Sequence, residues 1–157
     1  VFAGNIGPAQ SVETIIEAAN LLKDKKQIKF HIVGDGLSYN SCRTLADKYN
    51  LDNVIFYGYH PVSDMPKYYS IADAFLITMV DNEVVNSTLP AKIQSYMVAA
   101  RPIIGAISGE VSDVIKEADC GLCCESLDYK ELANLILTAS KRDKLKDWSE
   151  NAYNYYL

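Results

Sequence analysis

The sequence predicts an α/β fold, a doubly wound parallel sheet of about six strands with helices on both faces. Three observations point there. Short, almost continuously apolar runs alternate with segments whose apolar residues recur at helical spacing, and strands that are apolar throughout belong in a parallel sheet covered on both sides. Glycine-bearing turns (Gly4 to Gly7, Gly34 to Gly36, Gly58) close the first three runs before the next helical pattern begins, as strand-to-helix connections require. At 157 residues, 49% hydrophobic and 22% charged, the chain has the size and composition of one globular domain, able to bury roughly two-thirds of its unfolded surface without a disulfide or metal staple. It contains no internal repeat, low-complexity run or second domain boundary.

Residues 1–6 open the chain as a strand. Val12, Ile15, Ile16, Ala19 and Leu22 then share one helical face, with Ser11 placed to cap it. Residues 28–33 form the second strand. Cys42, Leu45, Ala46 and Tyr49 mark the next helix, residues 54–57 the third strand, and Met65, Tyr68, Tyr69 and Ala72 a short helix. Residues 74–79 are the fourth strand. Residues 80–89 show no period and are expected to be a loop. Pro90 begins a helix carrying Ile93, Met97 and Ala100, followed by a strand over 102–107. Val111, Val114, Ile115 and Ala118 make a helix, and residues 121–124 a sixth, short strand. Asp128 with Glu131 resembles a capping box before Leu132, Leu135, Ile136 and Ala139. A final helix is expected from Lys144 to Leu157, with Leu145, Trp148, Ala152 and Tyr155 along it.

Fifteen basic against 20 acidic side chains give a net charge of −5, which argues against nucleic acid held by bulk positive charge. No apolar run approaches the roughly 18 residues that span a bilayer. The start, Val1-Phe2-Ala3-Gly4, has neither an initiator Met nor a basic leader, so it is expected to be a strand within a longer protein rather than a signal peptide. Three of the four cysteines, Cys120, Cys123 and Cys124, share one short apolar segment with Cys42 elsewhere. Adjacent Cys123 and Cys124 point to opposite faces of a strand. Cys120-Gly-Leu-Cys123 opens no helix and has no second ligand pair, so buried thiols in a reducing cytoplasm are the expectation, ahead of a redox or zinc site.

Open parallel sheets bind ligands beyond the carboxyl ends of their strands, so the loops there carry the candidates. Gly4-Asn5-Ile6-Gly7-Pro8-Ala9-Gln10 has two glycines before a helix, either a tight turn or a place for close backbone contact with phosphate or sugar. It is neither a dinucleotide fingerprint nor a P-loop. Gly34-Asp35-Gly36 could support a ligand or simply turn the chain. Asp35 as a phospho-acceptor lacks the acidic pair that would precede it. In Ser87-Thr88-Leu89-Pro90-Ala91-Lys92, Ser87 or Thr88 can cap a helix whose free N–H groups favour an anion. Lys92 in that first turn opposes the helix dipole, a conflict that a bound phosphate would remove; the alternative is a solvated surface lysine. Glu83 reads as a solvated loop charge and His31 as packed in its strand, whereas His60, beside Pro61 at a strand end, could reach a ligand. No His, Asp or Glu spacing suggests a metal, and no nucleophile motif appears.

These residues resemble the C-terminal, nucleotide-sugar-binding domain of GT-B glycosyltransferases, specifically the glycosyl transferases group 1 (family four) enzymes. The likeness covers essentially the whole chain. Residues 2–10 are similar to the opening loop of a bacterial capsule and O-antigen branch. Ile32-Val33-Gly34-Asp35-Gly36 is similar to the family's V-G-D-G turn, Val54-Ile55-Phe56-Tyr57-Gly58 to its third strand, and Leu89 to Met97 with Arg101-Pro102-Ile103-Ile104 to its donor-site helix and next strand. The resemblance implies a Rossmann-like sheet forming one half of a GT-B fold. It implies retaining transfer of a sugar from a nucleotide diphosphate-sugar, UDP-linked, with no metal cofactor. Lys92 would be the catalytic cation, and Gly4, Asn5, Ile6, Gly7, Gln10, Gly34, Asp35, Gly36, Tyr59, His60, Ser87, Thr88, Leu89, Pro90 and Ser95 would bind the donor. The acceptor, polyprenyl-linked at the inner face of the cell membrane, would sit on an N-terminal domain absent from this chain. Tyr153, Tyr155, Tyr156 and Leu157 are expected to contact that domain or a neighbouring molecule.

The sequence departs from the family's pattern at four positions. The paired glutamates of many members are Ser87 and Ser95 here, and the loop cations align with Asn5 and Gln10. That leaves Lys92 as the main cation and Ser95 as a weaker hydroxyl partner for the ribose. Two other readings stay open: half of an epimerase-type GT-B enzyme, which would need catalytic carboxylates and a His in the cleft, and a degenerate, non-catalytic partner domain.

Overall fold

A computed structural model describes residues 1–141, 143 and 145–157. Six parallel strands form two three-stranded sheets: β1 (Phe2–Ala3) pairs with β2 (Phe30–Val33) and β2 with β3 (Val54–Gly58), while β4 (Phe75–Thr78) pairs with β5 (Ile103–Ala106) and β5 with β6 (Gly121–Cys124). The edges of β1 and β4 meet where the Val1 amino group donates to the Ala74 carbonyl at 2.9 Å and the Leu76 N–H to the Val1 carbonyl at 2.8 Å. The strands therefore lie side by side in the order 3-2-1-4-5-6. Each strand is shorter than its apolar run or ends where a turn takes over; β1 stops at Ala3 because Gly4 turns out of line.

Period-two alternation divides the core. Phe2, Phe30, Ile32, Leu76, Ile104 and Ala106 point to one face, under α1 (Val12–Leu21), α2 (Tyr39–Lys48) and α7 (Tyr129–Ser140). Ala3, Val33, Phe75, Ile77 and Ile103 point to the other, under α3 (Met65–Ser70), α5 (Ala91–Val98) and α6 (Glu110–Ala118). The terminal α8 (Leu145–Tyr156) contributes Trp148 to the first layer and Ala152 to the second. The expected start of that helix, Lys144, lies outside the described residues. Tyr153, Tyr155, Tyr156 and Leu157 are exposed, and the Tyr155 hydroxyl donates to Glu117 at 3.2 Å.

Local signals explain the helix starts, with three corrections. Asp128 caps α7 as its spacing predicts, its carboxylate accepting from the Glu131 N–H at 3.1 Å. Ser11 does not cap α1: its backbone is left-handed (φ 51°) and its buried hydroxyl pairs with that of Thr14 at 2.7 Å. Residues 80–89 are not all loop, since Glu83–Asn86 forms a one-turn helix, α4, capped by the Asn82 side chain. Ser87 and Thr88 do not cap α5. Their hydroxyls turn back to the Val84 and Val85 carbonyls, and Pro90 occupies the capping position. The four thiols are free. Cys42 and Cys120 are buried, Cys123 and Cys124 half-buried, and burial pushes all four above the usual thiol range, to about 11 or 12, which makes them poor nucleophiles.

Candidate functional site

The chain order reverses between β1 and β4, the switch point beyond which open parallel sheets bind ligands. The loop after β1 is laced into its neighbours by backbone bonds. Gly4 N–H donates to Val33, Ile6 N–H to Asp35, and Ser38 N–H back to Ile6, all within 2.8–2.9 Å. On the β4 side, the Thr78 hydroxyl donates to the Gln10 carbonyl at 2.6 Å and Val80 N–H to Ala9 at 2.8 Å. Two glycines make this closeness possible. At Gly34 (φ +143°) a Cβ would collide with the Gly4 carbonyl. At Gly4 (φ +151°) a Cβ would stand 2.7 Å from the Lys92 Nζ. Both conformations are ones that L side chains rarely adopt.

Lys92 comes from the first turn of α5, yet its ammonium crosses the end of β1 to lie 4.2 Å from the centroid of the Phe2 ring, in the opposite core layer. The missing side chain at Gly4 leaves it the passage. Nζ is buried and, among the described residues, has no hydrogen-bond partner. Burial lowers its pKa from 10.5 to about 8. A buried ammonium with no hydrogen-bond partner is expensive in a stable fold, so its place calls for an anion.

The helix that carries Lys92 is fixed one turn on by Tyr96. The Tyr96 hydroxyl accepts from the Ala3 N–H at 3.0 Å and donates to the Ala3 carbonyl at 3.3 Å, and its ring stacks on Phe75 at 4.1 Å. Tyr96→Phe leaves two buried backbone groups unpaired. It is expected to cost about 2 kcal/mol, a fall in Tm of roughly 5 °C, by thermal unfolding; an unchanged Tm would show that this clamp does not hold α5 to β1.

The other candidates fall into four places. Asn5, Ile6, Gly7, Gln10, Asp35 and Gly36 lie around the end of β1 with Gly4, Gly34 and Lys92. Asn5 and Gln10 do not stand free there: the Gln10 side-chain oxygen accepts from the Gly7 N–H at 3.0 Å and from Asn5 at 3.4 Å, closing the loop on itself. Asp35 accepts from its own neighbour, Gly36, at 2.7 Å. Tyr59, exposed, and His60 sit at the end of β3. The His60 ring is engaged rather than free, 3.2 Å from Asp64, 2.9 Å from the Tyr68 hydroxyl and 3.2 Å from the Tyr57 carbonyl. His31 similarly holds the Tyr57 hydroxyl at 2.8 Å. Ser95 lies beside Tyr69 in a groove of about 610 Å³ between α3 and α5, lined also by Pro66, Gln94 and Tyr156. Ser87, Thr88, Leu89 and Pro90 form the link between α4 and α5, with Leu89 exposed.

Phe2, Tyr96 and Thr78 were not singled out by sequence. Tyr96 stands four residues after Lys92, hence on the same helix face, which was the available signal. Phe2 and Thr78 carry none, because their roles depend on how strands and loops meet in space. Among the described residues no group of three or more His, Cys, Asp or Glu is placed to hold a metal ion, and no helix is long and apolar enough to cross a membrane.

A parallel sheet in this order, with a buried lysine that lacks a hydrogen-bond partner at its switch point, is Rossmann-like in architecture. The chain belongs to the glycosyl transferases group 1 family, whose sequence profile matches residues 1–155. It is similar to a Pseudomonas aeruginosa protein named "Probable glycosyltransferase WbjE", with 28% identity over 137 residues, 86% of this chain and 34% of that protein. The chain therefore spans about a third of that relative's length. In fold it resembles the crystal structure of Anabaena Alr3699/HepE in complex with UDP-glucose (TM-score 0.83, 20% identity, 99% of this chain and 42% of the other). It also resembles the C-terminal domain of the glycosyl transferase group 1 protein LpcC from Francisella tularensis (TM-score 0.79, 17% identity, 98% and 83%).

Proposed function

We propose that the chain is the C-terminal, donor-holding half of a retaining glycosyltransferase that takes a sugar from a UDP-sugar. The observation that carries the reading is the buried Lys92 ammonium, without a hydrogen-bond partner and set against glycine-lined backbone at the switch point. There it would neutralise the diphosphate as the glycosidic bond breaks. The Ala91 and Lys92 N–H groups, in the first turn of α5, add their dipole to the same end. Lys92 then does the work of a metal ion, which the reading does not require. In this reading Ser95 and Tyr69, in the α3–α5 groove, meet the ribose, and the backbone around Tyr59 the base. HepE supports the choice of uracil by its UDP-glucose complex, and LpcC supports the C-terminal placement.

In this reading an N-terminal domain brings the acceptor, a polyprenyl-linked glycan at the inner face of the cell membrane. The product is bacterial surface polysaccharide, of capsule or O-antigen type, made in the cytoplasm. One observation favours a second reading: Asn5 and Gln10 bond each other, and serines stand at positions 87 and 95, so the chain could be a non-catalytic partner domain. Calorimetric titration of the 157-residue chain with UDP, GDP and ADP, beside Lys92→Ala, separates the two. Selective UDP binding, weakened in Lys92→Ala, is expected; absence of binding to all three favours the partner domain. The chain alone should bind donor without turning it over, and robust sugar transfer by it would contradict the division of labour.

A further inference from the structure

We propose that Phe2 is a positioning residue for the donor site: its ring face holds the Lys92 ammonium over Gly4 in the free chain, and a bound diphosphate takes the ammonium over from it. The inference rests on the donor reading above. It goes beyond that reading by giving a function to a core side chain that touches no ligand.

The geometry is specific. Phe2 is fully buried in the layer beneath α1, and its ring is the described aromatic face near Nζ, at 4.2 Å. A cation over a ring face is attracted by the ring quadrupole, most strongly where water is excluded. The described contacts of Nζ are on β1, with the Phe2 ring and beside Gly4, and burial is the cause that lowers its pKa. The nearest titratable group on α5, Tyr96, is committed to the Ala3 backbone and stays neutral because burial raises its pKa. The ring thus offsets part of the cost of burying the charge, and without it the amine would lose its proton at lower pH.

The test replaces the ring without emptying its space. Lys92 is followed by the ¹³Cε shift in a pH titration of the free chain, in the wild type, in Phe2→Leu and with 3,4,5-trifluorophenylalanine at position 2. The wild-type midpoint is expected near 8, and roughly one pH unit lower in both variants. The fluorinated ring keeps the core filled, so it decides the matter should Phe2→Leu fail to fold. UDP affinity is then measured against pH. In the variants its decline with rising pH should begin about one unit earlier, from an affinity up to tenfold higher below pH 7 because the ring no longer competes for the ammonium, and the difference should vanish well above pH 8. An unchanged Lys92 midpoint would overturn the role of Phe2 whatever UDP does. A shifted midpoint in a chain that binds no UDP would leave the ring–ammonium pairing standing and overturn its transfer to a diphosphate, together with the donor reading.

Discussion

Lys92→Met is expected to make the free chain more stable while removing most of its affinity for UDP. Burial holds the Lys92 amine near pH 8 instead of 10.5, and a displacement of that size corresponds to about 3 kcal/mol of unfavourable burial at neutral pH. Methionine has similar length and no charge to desolvate, so a gain of about 2 kcal/mol, or roughly 5 °C in Tm, is expected after the lost ring contact with Phe2 is allowed for. The folded value lies below the unfolded one, so the unfolded chain binds more protons between pH 8 and 10.5. Wild-type stability therefore rises with pH through that window, and the advantage of Lys92→Met shrinks across it. In the complex the sign reverses: a diphosphate left facing methionine should bind about a hundredfold more weakly. A residue that destabilises the fold where it strengthens binding is the signature of a functional site. Thermal unfolding at pH 7 and UDP calorimetry measure the two halves, and a variant melting below the wild type would show that the buried cation is not a burden.

The second large effect is expected at Gly34. Gly34→Ala should cost about 3 kcal/mol and lower Tm by roughly 9 °C. The added Cβ meets the Gly4 carbonyl, and neither side can yield cheaply. Gly4 N–H is bonded to Val33, and Gly34 N–H to Gly58, each at 2.9 Å. The φ of +143° adds strain of its own. Displacing Gly4 also closes the passage through which Lys92 reaches Phe2. UDP affinity should fall along with stability, measurable by denaturant unfolding and calorimetry on the same preparation. Wild-type stability in Gly34→Ala would mean the two loops are not in contact as described.

The fold was largely legible because its signals are redundant. The strands are announced by apolar residues on both faces, and the first three also by the glycine turn that ends them, so Phe30–Val33 and Phe75–Thr78 need no tertiary knowledge. Asp128 could be placed because its cap depends on a bond three residues away. Signals that fail are those with local competitors. Ser87 and Thr88 have a cap to offer α5, but they lie within three residues of α4 carbonyls that their hydroxyls reach first. Asn82, an Asx cap, hides α4 inside a polar run. At the site, the oddity of a cation in the first turn of a helix drew attention to Lys92, whose amine the structure buries. The sequence had no means of showing that its ammonium crosses to the other layer, because that depends on Gly4 having no side chain and on Phe2 facing the other way. The His60 network is likewise tertiary: Asp64 is near in sequence, but Tyr57 and Tyr68 meet the ring only once β3 and α3 pack.

The decisive measurement is a crystal structure of the chain with UDP. The diphosphate should lie at the end of β1, with an oxygen about 3 Å from the Lys92 Nζ and the ammonium drawn off the Phe2 ring. UDP seated with its phosphates away from Lys92, and Nζ still over the ring, would contradict the assignment of the switch point between β1 and β4 as the donor site.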